Sequence, residues 1–200
     1  MNMRDYFNNA ADTWDSKFQT PRLLSFLEKI VPQFNLKPGQ QVLDVGTGTG
    51  VLIPYLIKRV APSGLVTAID LSEKMVQKCK IKYSHIKNVN IQVGNIEDAI
   101  FPAETFDSVI CFGVFPHLEN KEKALQNINR MLKPDGNLVI AHALSSEELK
   151  AHHKEVSEYV AHSAIPEKTE MTRLIEQTGF VEPRIRDEPG FYLCITRKPS

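Results

Sequence analysis

The chain has no excess of charge of either sign, because its 24 basic and 24 acidic side chains cancel to a formal net charge of zero. Proteins that bind nucleic acid usually carry a basic face, since much of their affinity comes from phosphate contacts. A dedicated DNA- or RNA-binding function is therefore disfavoured. With 200 residues, 42% of them hydrophobic, the chain can bury a core without disulfides or metal ions.

Cysteine is scarce and long apolar runs are absent. The three cysteines lie far apart and form no CxxC pair, which is typical of a reducing compartment: Cys79, Cys111 and Cys194. No apolar run approaches the roughly 18 residues of a membrane span, and the polar N-terminus does not resemble a signal peptide. These features predict a soluble, cytoplasmic protein without a membrane span. They leave its oligomeric state open.

Short apolar runs alternate with helical patterns through the middle of the chain, which predicts a mostly parallel sheet with helices between its strands. The predicted strands are 41–46, 65–70, 89–94, 106–113 and 137–143, and a type I turn is predicted at 133–136. The pattern of residues 144–178 predicts helices. Two further strands around Glu188-Pro189-Gly190 predict a terminal hairpin.

The most informative motif is the glycine-rich turn that follows the first strand. Asp44 is followed by Gly46, Gly48 and Gly50, and glycines let the backbone approach a ligand closely at the start of a helix. The spacing is G-x-G-x-G rather than the G-x-G-x-x-G of dinucleotide-binding proteins, and no P-loop lysine follows. This leaves a nucleoside ligand without pyrophosphate. Asp70, at the end of the second strand, is placed to accept both ribose hydroxyls.

These residues resemble the class I S-adenosylmethionine-dependent methyltransferases, and within them the small-molecule branch that includes ubiquinone and menaquinone C-methyltransferases. The similar pieces are Asp44 to Gly50, Asp70, Tyr6-Phe7 through Trp14-Asp15, Phe106-Asp107, Phe115 to Leu118, and Leu132 to Gly136. The resemblance implies an α/β, doubly wound, seven-stranded Rossmann-like sheet in the order 3-2-1-4-5-7-6, with the seventh strand antiparallel.

The resemblance also implies the residues that bind S-adenosylmethionine. They are Asp44, Gly46, Thr47, Gly48, Gly50, Asp70, Leu71, Met75, Asn95 and Ile96. The family usually has an acid after the third strand, near the adenine amino group, and this chain has Asn95 there. An asparagine carbonyl oxygen can still accept a hydrogen bond from that amine.

Three of the six histidines are predicted to lie on the ligand side of the sheet. His117 follows the fourth strand and His142 nearly ends the fifth, and ligands of such sheets bind outside the carboxyl ends of the strands. On a helix predicted over 146–161, His153 lies nearer the buried stripe than His152. Three interpretations stay open: ordinary histidines, a catalytic cluster of His117, His142 and His153, or a metal or cofactor site that includes His142 and His153.

Two surface patterns have a simple interpretation and a functional one. Phe7, Trp14 and Phe18 share one helical stripe, which indicates core packing or a lid over the active site. Three lysines spaced four residues apart after the second strand are interpreted as a solvated helix face: Lys74, Lys78 and Lys82.

The predicted function is methyl transfer from S-adenosylmethionine to a small-molecule acceptor, with the methylated atom left open. The alternative is a binding or sensing protein on the same scaffold, with a histidine site for a metal or cofactor. One methyltransferase domain is predicted over 1–200. It would comprise N-terminal helices or a lid (1–35), a cofactor-binding core (36–143), a helical insertion on the substrate side (144–178) and the terminal hairpin (179–200).

Overall fold

A computed structural model describes residues 2–156 and 163–200. The helices are α1 (Met3–Ala10), α2 (Trp14–Phe18), α3 (Pro21–Ile30), α4 (Ile53–Val60), α5 (Glu73–Tyr83), α6 (Lys121–Met131), α7 (Ser146–Val156) and α8 (Lys168–Gln177). The strands are β1 (Gln41–Val45), β2 (Leu65–Asp70), β3 (Val89–Val93), β4 (Phe106–Phe112), β5 (Leu132–His142), β6 (Val181–Glu188) and β7 (Phe191–Arg197). Short 3-10 turns cover Ala11–Thr13, Val31–Phe34 and Phe115–His117.

The seven strands form an α/β sheet in the order β3-β2-β1-β4-β5-β7-β6. β1 and β2, β2 and β3, and β4 and β5 pair in parallel, whereas β7 is antiparallel to both β5 and β6. The predicted strand order and the antiparallel seventh strand are therefore confirmed. None of the helices in the described ranges has the length and apolar content needed to cross a membrane.

The chain divides into two compact units, Met1–Asn95 and Ile96–Ser200. In the first unit, β1 and β2 are almost wholly buried, and Ile53, Ala68 and Val76 belong to the core between the helices and the strands. In the second unit, α6 buries Leu125 and Ile128, as the helical pattern of the sequence predicts.

Two predictions about the elements are wrong, and a third lies partly outside the described residues. Residues 133–136 do not form a turn before β5 but a bulge within it, since Phe106 of β4 pairs with Leu132 and Ser108 pairs with Asn137. The extra residues of β5 are accommodated by Asp135, which has a φ of 59°. The N-terminal stripe is not one helix, because the 3-10 turn separates α1 from α2. The part of the predicted helix 146–161 beyond Val156 lies outside the described residues.

Candidate functional site

The glycine-rich turn between β1 and α4 has a backbone that only glycine adopts readily. Gly46, Gly48 and Gly50 have φ values of 68°, 55° and 91°. A Cβ on Gly50 would lie 2.6 Å from the Tyr83 ring, so this glycine is required for packing against α5. A Cβ on Gly48 would instead lie 3.6 Å from the indole nitrogen of Trp14. Gly48 therefore faces the N-terminal helices rather than the core.

Two acids lie at the ends of neighbouring parallel strands beside this turn. Asp44 in β1 is 1% exposed and Asp70 at the end of β2 is 9% exposed. The Asp70 carboxylate accepts hydrogen bonds from the backbone N–H groups of Gly48 and Ser72, each at 2.8 Å. These two bonds fix the carboxylate against the turn, and each oxygen keeps a second lone pair for a ligand.

Both carboxyl groups resist ionisation. Burial raises the pKa of Asp44 to about 7, and the nearby charge of Asp70 adds to this effect. Burial also raises the pKa of Asp70 to about 6, although the hydrogen bonds from the two backbone N–H groups favour its ionised form. Among the described residues, Asp44 Oδ2 is buried without a hydrogen-bond partner. The pair is thus suited to a ligand that brings hydroxyl donors and positive charge.

The other predicted cofactor residues have different positions. Thr47 is buried in the turn, and its N–H donates to the Ile69 carbonyl oxygen at 3.0 Å. Leu71 is half-buried after β2, whereas Met75 is buried in α5. Asn95 is half-buried after β3, and it ends the first unit. Ile96 belongs to the second unit, where it is buried and its carbonyl oxygen accepts from the Asn127 amide at 2.8 Å.

The structure brings two of the three histidines singled out in the sequence, His117 and His153, together within the second unit. The rings of His117 and His153 have centroids 4.8 Å apart, and those of His152 and His153 are 6.0 Å apart. Burial lowers the pKa of His117 to about 3 and that of His142 to about 4, and in each case the nearby His153 adds to the shift. His153 is 6% exposed and His152 is exposed, as the helical angles predicted.

Hydrogen bonds determine which ring nitrogens of two histidines carry a proton. His153 Nδ1 lies 2.6 Å from the Ser163 carbonyl oxygen, which can only accept, so Nδ1 is the donor. When His153 is neutral, its Nε2 is therefore a free base. His142 Nδ1 accepts from the Leu144 N–H at 3.1 Å, so its Nε2 carries the proton. The group thus contains one ring that can accept a proton and one that can donate a hydrogen bond.

Lys121 at the start of α6 holds the turn that carries His117. Its ammonium group donates to the carbonyl oxygens of Pro116 and Leu118, at 3.2 and 3.0 Å. The positive charge of Lys121 is also one of the causes that lower the pKa of His117, after burial and the other two histidines. The sequence contains no signal for this role of Lys121, because one lysine four residues after a histidine has no distinctive pattern.

The lysine face of α5 is not simply solvated, so that interpretation is wrong for two of its three members. Lys78 lies 2.9 Å from Asp12, and Lys82 pairs with Asp15. Both acids precede or belong to α2, in the N-terminal part of the same unit. No local pattern in the sequence predicts this arrangement, because the acids lie far from the lysines along the chain.

No set of three or more His, Cys, Asp or Glu residues within 2–156 and 163–200 is arranged to hold a metal ion. His142 and His153 have lowered pKa values, which favour their neutral forms.

A family model described as a methyltransferase domain matches residues 36–179, which is most of the chain. The chain belongs to the class I S-adenosylmethionine-dependent methyltransferases. The match includes the glycine-rich turn, Asp70 and all three histidines of the group in the second unit. S-adenosylmethionine is accordingly its cofactor, and the resemblance inferred from the motifs is confirmed.

Two curated relatives place this methyltransferase near the quinone branch of the family. It is 31% identical over 186 residues to a demethylmenaquinone methyltransferase of Staphylococcus aureus, covering 82% of this chain and 77% of that protein. It is 39% identical over 109 residues to the ubiquinone/menaquinone biosynthesis C-methyltransferase UbiE of Hydrogenovibrio crunogenus. That second match spans 52% of this chain and only 42% of the relative's length.

A solved structure with the same fold is the SAM-dependent methyltransferase from Aquifex aeolicus. The two superpose with a TM-score of 0.74 at 28% sequence identity, over 92% of this chain and 96% of that one. The shared fold thus covers most of the chain.

The residues of the first unit fit S-adenosylmethionine. The cofactor carries two ribose hydroxyls and a positively charged sulfur, and the turn offers two buried carboxylates, one with an oxygen that lacks a partner among the described residues. Gly46, Gly48 and Gly50 have no side chains, and their positive φ values disfavour other residues at these positions, so the backbone of the turn can contact a ligand.

Proposed function

We propose that this methyltransferase transfers the methyl group of S-adenosylmethionine to a small-molecule acceptor. The observation that supports it most is the pair of buried acids at the glycine-rich turn, Asp44 and Asp70, whose raised pKa values suit a cationic, hydroxyl-bearing ligand. The absence of net charge favours a small acceptor over nucleic acid.

The side chains of the first unit bind and orient the cofactor in this proposal. Asp70 accepts hydrogen bonds from the ribose hydroxyls, and the Asp44 carboxylate balances the positive charge of the cofactor near the turn. Leu71 and Met75 provide apolar contact for adenine, and the Asn95 carbonyl oxygen accepts from its amine. Once bound, S-adenosylmethionine supplies an electrophilic methyl group, so the protein's task is mainly alignment of the acceptor.

We assign the proton chemistry to the histidines of the second unit. His153 Nε2 takes the proton that the acceptor loses as its nucleophilic atom gains the methyl group, and the His142 Nε2–H orients the acceptor. His117 contacts the acceptor as a neutral ring. All three pKa values are lowered, so these side chains are neutral at physiological pH and ready to act as base or hydrogen-bond partner.

The test uses S-adenosylmethionine with a labelled methyl group and a set of acceptors of known class. Hydroquinones come first, because the two curated relatives are named for quinone biosynthesis. Phenols, amines, thiols and a bulk RNA sample complete the set. Label in a small-molecule product supports the proposal, and label only in RNA contradicts it.

Substitutions at neighbouring histidines separate catalysis from structure. His153→Gln is expected to lower kcat roughly 100-fold or more, the usual contribution of a general base, and to leave cofactor affinity within twofold. His152→Gln is the matched control, because His152 is adjacent but exposed. Equal activity of the two variants would remove the assigned base.

We also propose that the enzyme acts in the cytoplasm without a nucleic-acid partner. All three cysteines are buried as free thiols, which fits a reducing compartment.

A further inference from the structure

The N-terminal segment, defined here as residues 2–19, packs against the cofactor turn and α5 within the first unit. At one end, the Asn8 carbonyl oxygen accepts from the Ser72 hydroxyl at 2.6 Å, directly beside Asp70. At the other end, Trp14 lies over Gly48 and packs against Phe18 with the two rings tilted by 40° and their centroids 4.3 Å apart. The segment thus covers the turn from the side that Gly48 faces.

Asp15 connects this segment to the turn itself. Its carboxylate accepts hydrogen bonds from the Thr49 hydroxyl and the Lys82 ammonium group, and from the Gln19 amide at 2.7 Å. Gln19 also donates to the Thr49 hydroxyl oxygen at 3.0 Å. Thr49 is 1% exposed and stands between Gly48 and Gly50. One carboxylate therefore joins the turn, α2 and α5.

The Asp15 carboxylate is ionised in this arrangement. Burial opposes its charge, but the bonds from Lys82 and Thr49 outweigh burial and hold the pKa of Asp15 below its ordinary value. Charge-assisted bonds of this kind are among the stronger hydrogen bonds in proteins. A turn with three glycines loses much conformational entropy when it binds a ligand. If Thr49 is already held in place before the ligand binds, that entropic cost of binding is smaller.

We propose that Asp15 is a positioning residue of the cofactor site, which holds Thr49 and the glycine-rich turn in the conformation that binds S-adenosylmethionine. The inference rests on the proposed function only in taking this turn as the cofactor site. Asp15 does not need to contact the cofactor, and it acts through the Thr49 hydroxyl.

The chain offers a matched control for this role in Asp12. Asp12 and Asp15 each pair with a lysine of α5, but only Asp15 bonds to the turn. Asp15→Asn and Asp12→Asn each remove one negative charge and one ion pair. A difference between the two variants therefore reports the contact with Thr49 and not the charge of the surface.

Two measurements are made on the full chain, and the unfolding midpoint is recorded for each variant. Calorimetric titration with S-adenosylhomocysteine is expected to show at least a 10-fold loss of affinity for Asp15→Asn and less than twofold for Asp12→Asn. Tryptophan fluorescence of the ligand-free protein reports the segment directly, since Trp14 is the only tryptophan. We expect a red shift for Asp15→Asn alone.

Three results would overturn the inference. One is unchanged affinity in Asp15→Asn, with or without a fluorescence shift. Another is an equal loss of affinity in both variants, which would show that the loss comes from the change in surface charge. The third is unchanged Trp14 emission in ligand-free Asp15→Asn. If the wild type bound no S-adenosylhomocysteine, the proposed function would fail instead, and the ligand-free fluorescence would still decide whether Asp15 holds the segment.

Discussion

At the scale of single residues, the site depends on two carboxyl groups held under unusual conditions. In the sequence, nothing distinguishes Asp44 and Asp70 from other aspartates except the motif, which indicates that they lie at the ends of strands. Their raised pKa values come from burial, which no local pattern reports. The motif therefore predicts which residues face the ligand, whereas their protonation becomes visible only in the folded structure.

Cofactor binding is predicted to release protons. The ligand-free carboxyl groups have pKa values of about 7 and 6, and a ligand with hydroxyl donors and positive charge favours their ionised forms. Affinity for S-adenosylmethionine should therefore increase as the pH rises from 5 through 7 and level off above it. Calorimetry in two buffers of different ionisation enthalpy measures the protons released. Affinity that stays constant between pH 5 and 8 would contradict this prediction.

At the scale of helices and strands, local patterns predict most elements, and distant partners decide the exceptions. β2 has the predicted bounds, because LVTAID is an uninterrupted buried run. The sequence does not predict the bulge at 133–136, since Pro134 and Gly136 are also typical of a turn and only the pairing with β4 distinguishes the two. The ion pairs of Lys78 and Lys82 are not predictable from local pattern, because their acidic partners are more than 60 residues away.

At the start of α7, a local sequence pattern predicts one contact correctly and gives no indication of another. The Ser145 and Glu148 pair predicts a capping box, and the structure confirms it: Glu148 accepts from the Ser145 N–H at 2.8 Å, and the Ser145 hydroxyl accepts from the Glu148 N–H. Glu148 also accepts from the Gly190 N–H at 2.7 Å in the β6–β7 turn. The sequence contains no signal for this second contact.

Glu148→Gln is predicted to destabilise the protein by about 1–2 kcal/mol, since charge-assisted bonds to two backbone N–H groups are weakened. Denaturant unfolding measures the change. The control is Glu147→Gln, an exposed acid in the same first helical turn, which should change stability by less than about 0.5 kcal/mol. A loss as large in the control as in Glu148→Gln would assign the effect to the helix dipole alone.

At the scale of the whole molecule, groups in the two units respond to acid in opposite senses. Asp44 and Asp70 have raised pKa values, so the folded state binds their protons more tightly and gains stability as the pH falls toward 4. His117 and His142 have lowered pKa values, so the unfolded state is protonated first and the folded state loses stability below about pH 6.5. The contributions of the aspartates and of the histidines therefore partly cancel in the pH dependence of the unfolding free energy.

A difference measurement isolates the histidine contribution. His142→Gln removes one neutral, half-buried ring, so the unfolding free energy of the variant should improve relative to wild type as the pH falls from 6 to 4.5. The gain should be up to about 1.4 kcal/mol per pH unit. His85→Gln is the control, because His85 is exposed in a loop. Parallel pH profiles for wild type and His142→Gln would show that His142 is not held neutral.

The measurement that tests the central claim most directly is ligand binding at the glycine-rich turn. We predict that S-adenosylhomocysteine binds the wild type at one site per chain and that NADH does not bind. Asp70→Ala should lose about 10- to 150-fold in affinity, the equivalent of roughly 1.5–3 kcal/mol for a charge-assisted contact. Binding of NADH instead, or full affinity for S-adenosylhomocysteine in a folded Asp70→Ala variant, would contradict the assignment of this turn and its acid to the methyl donor.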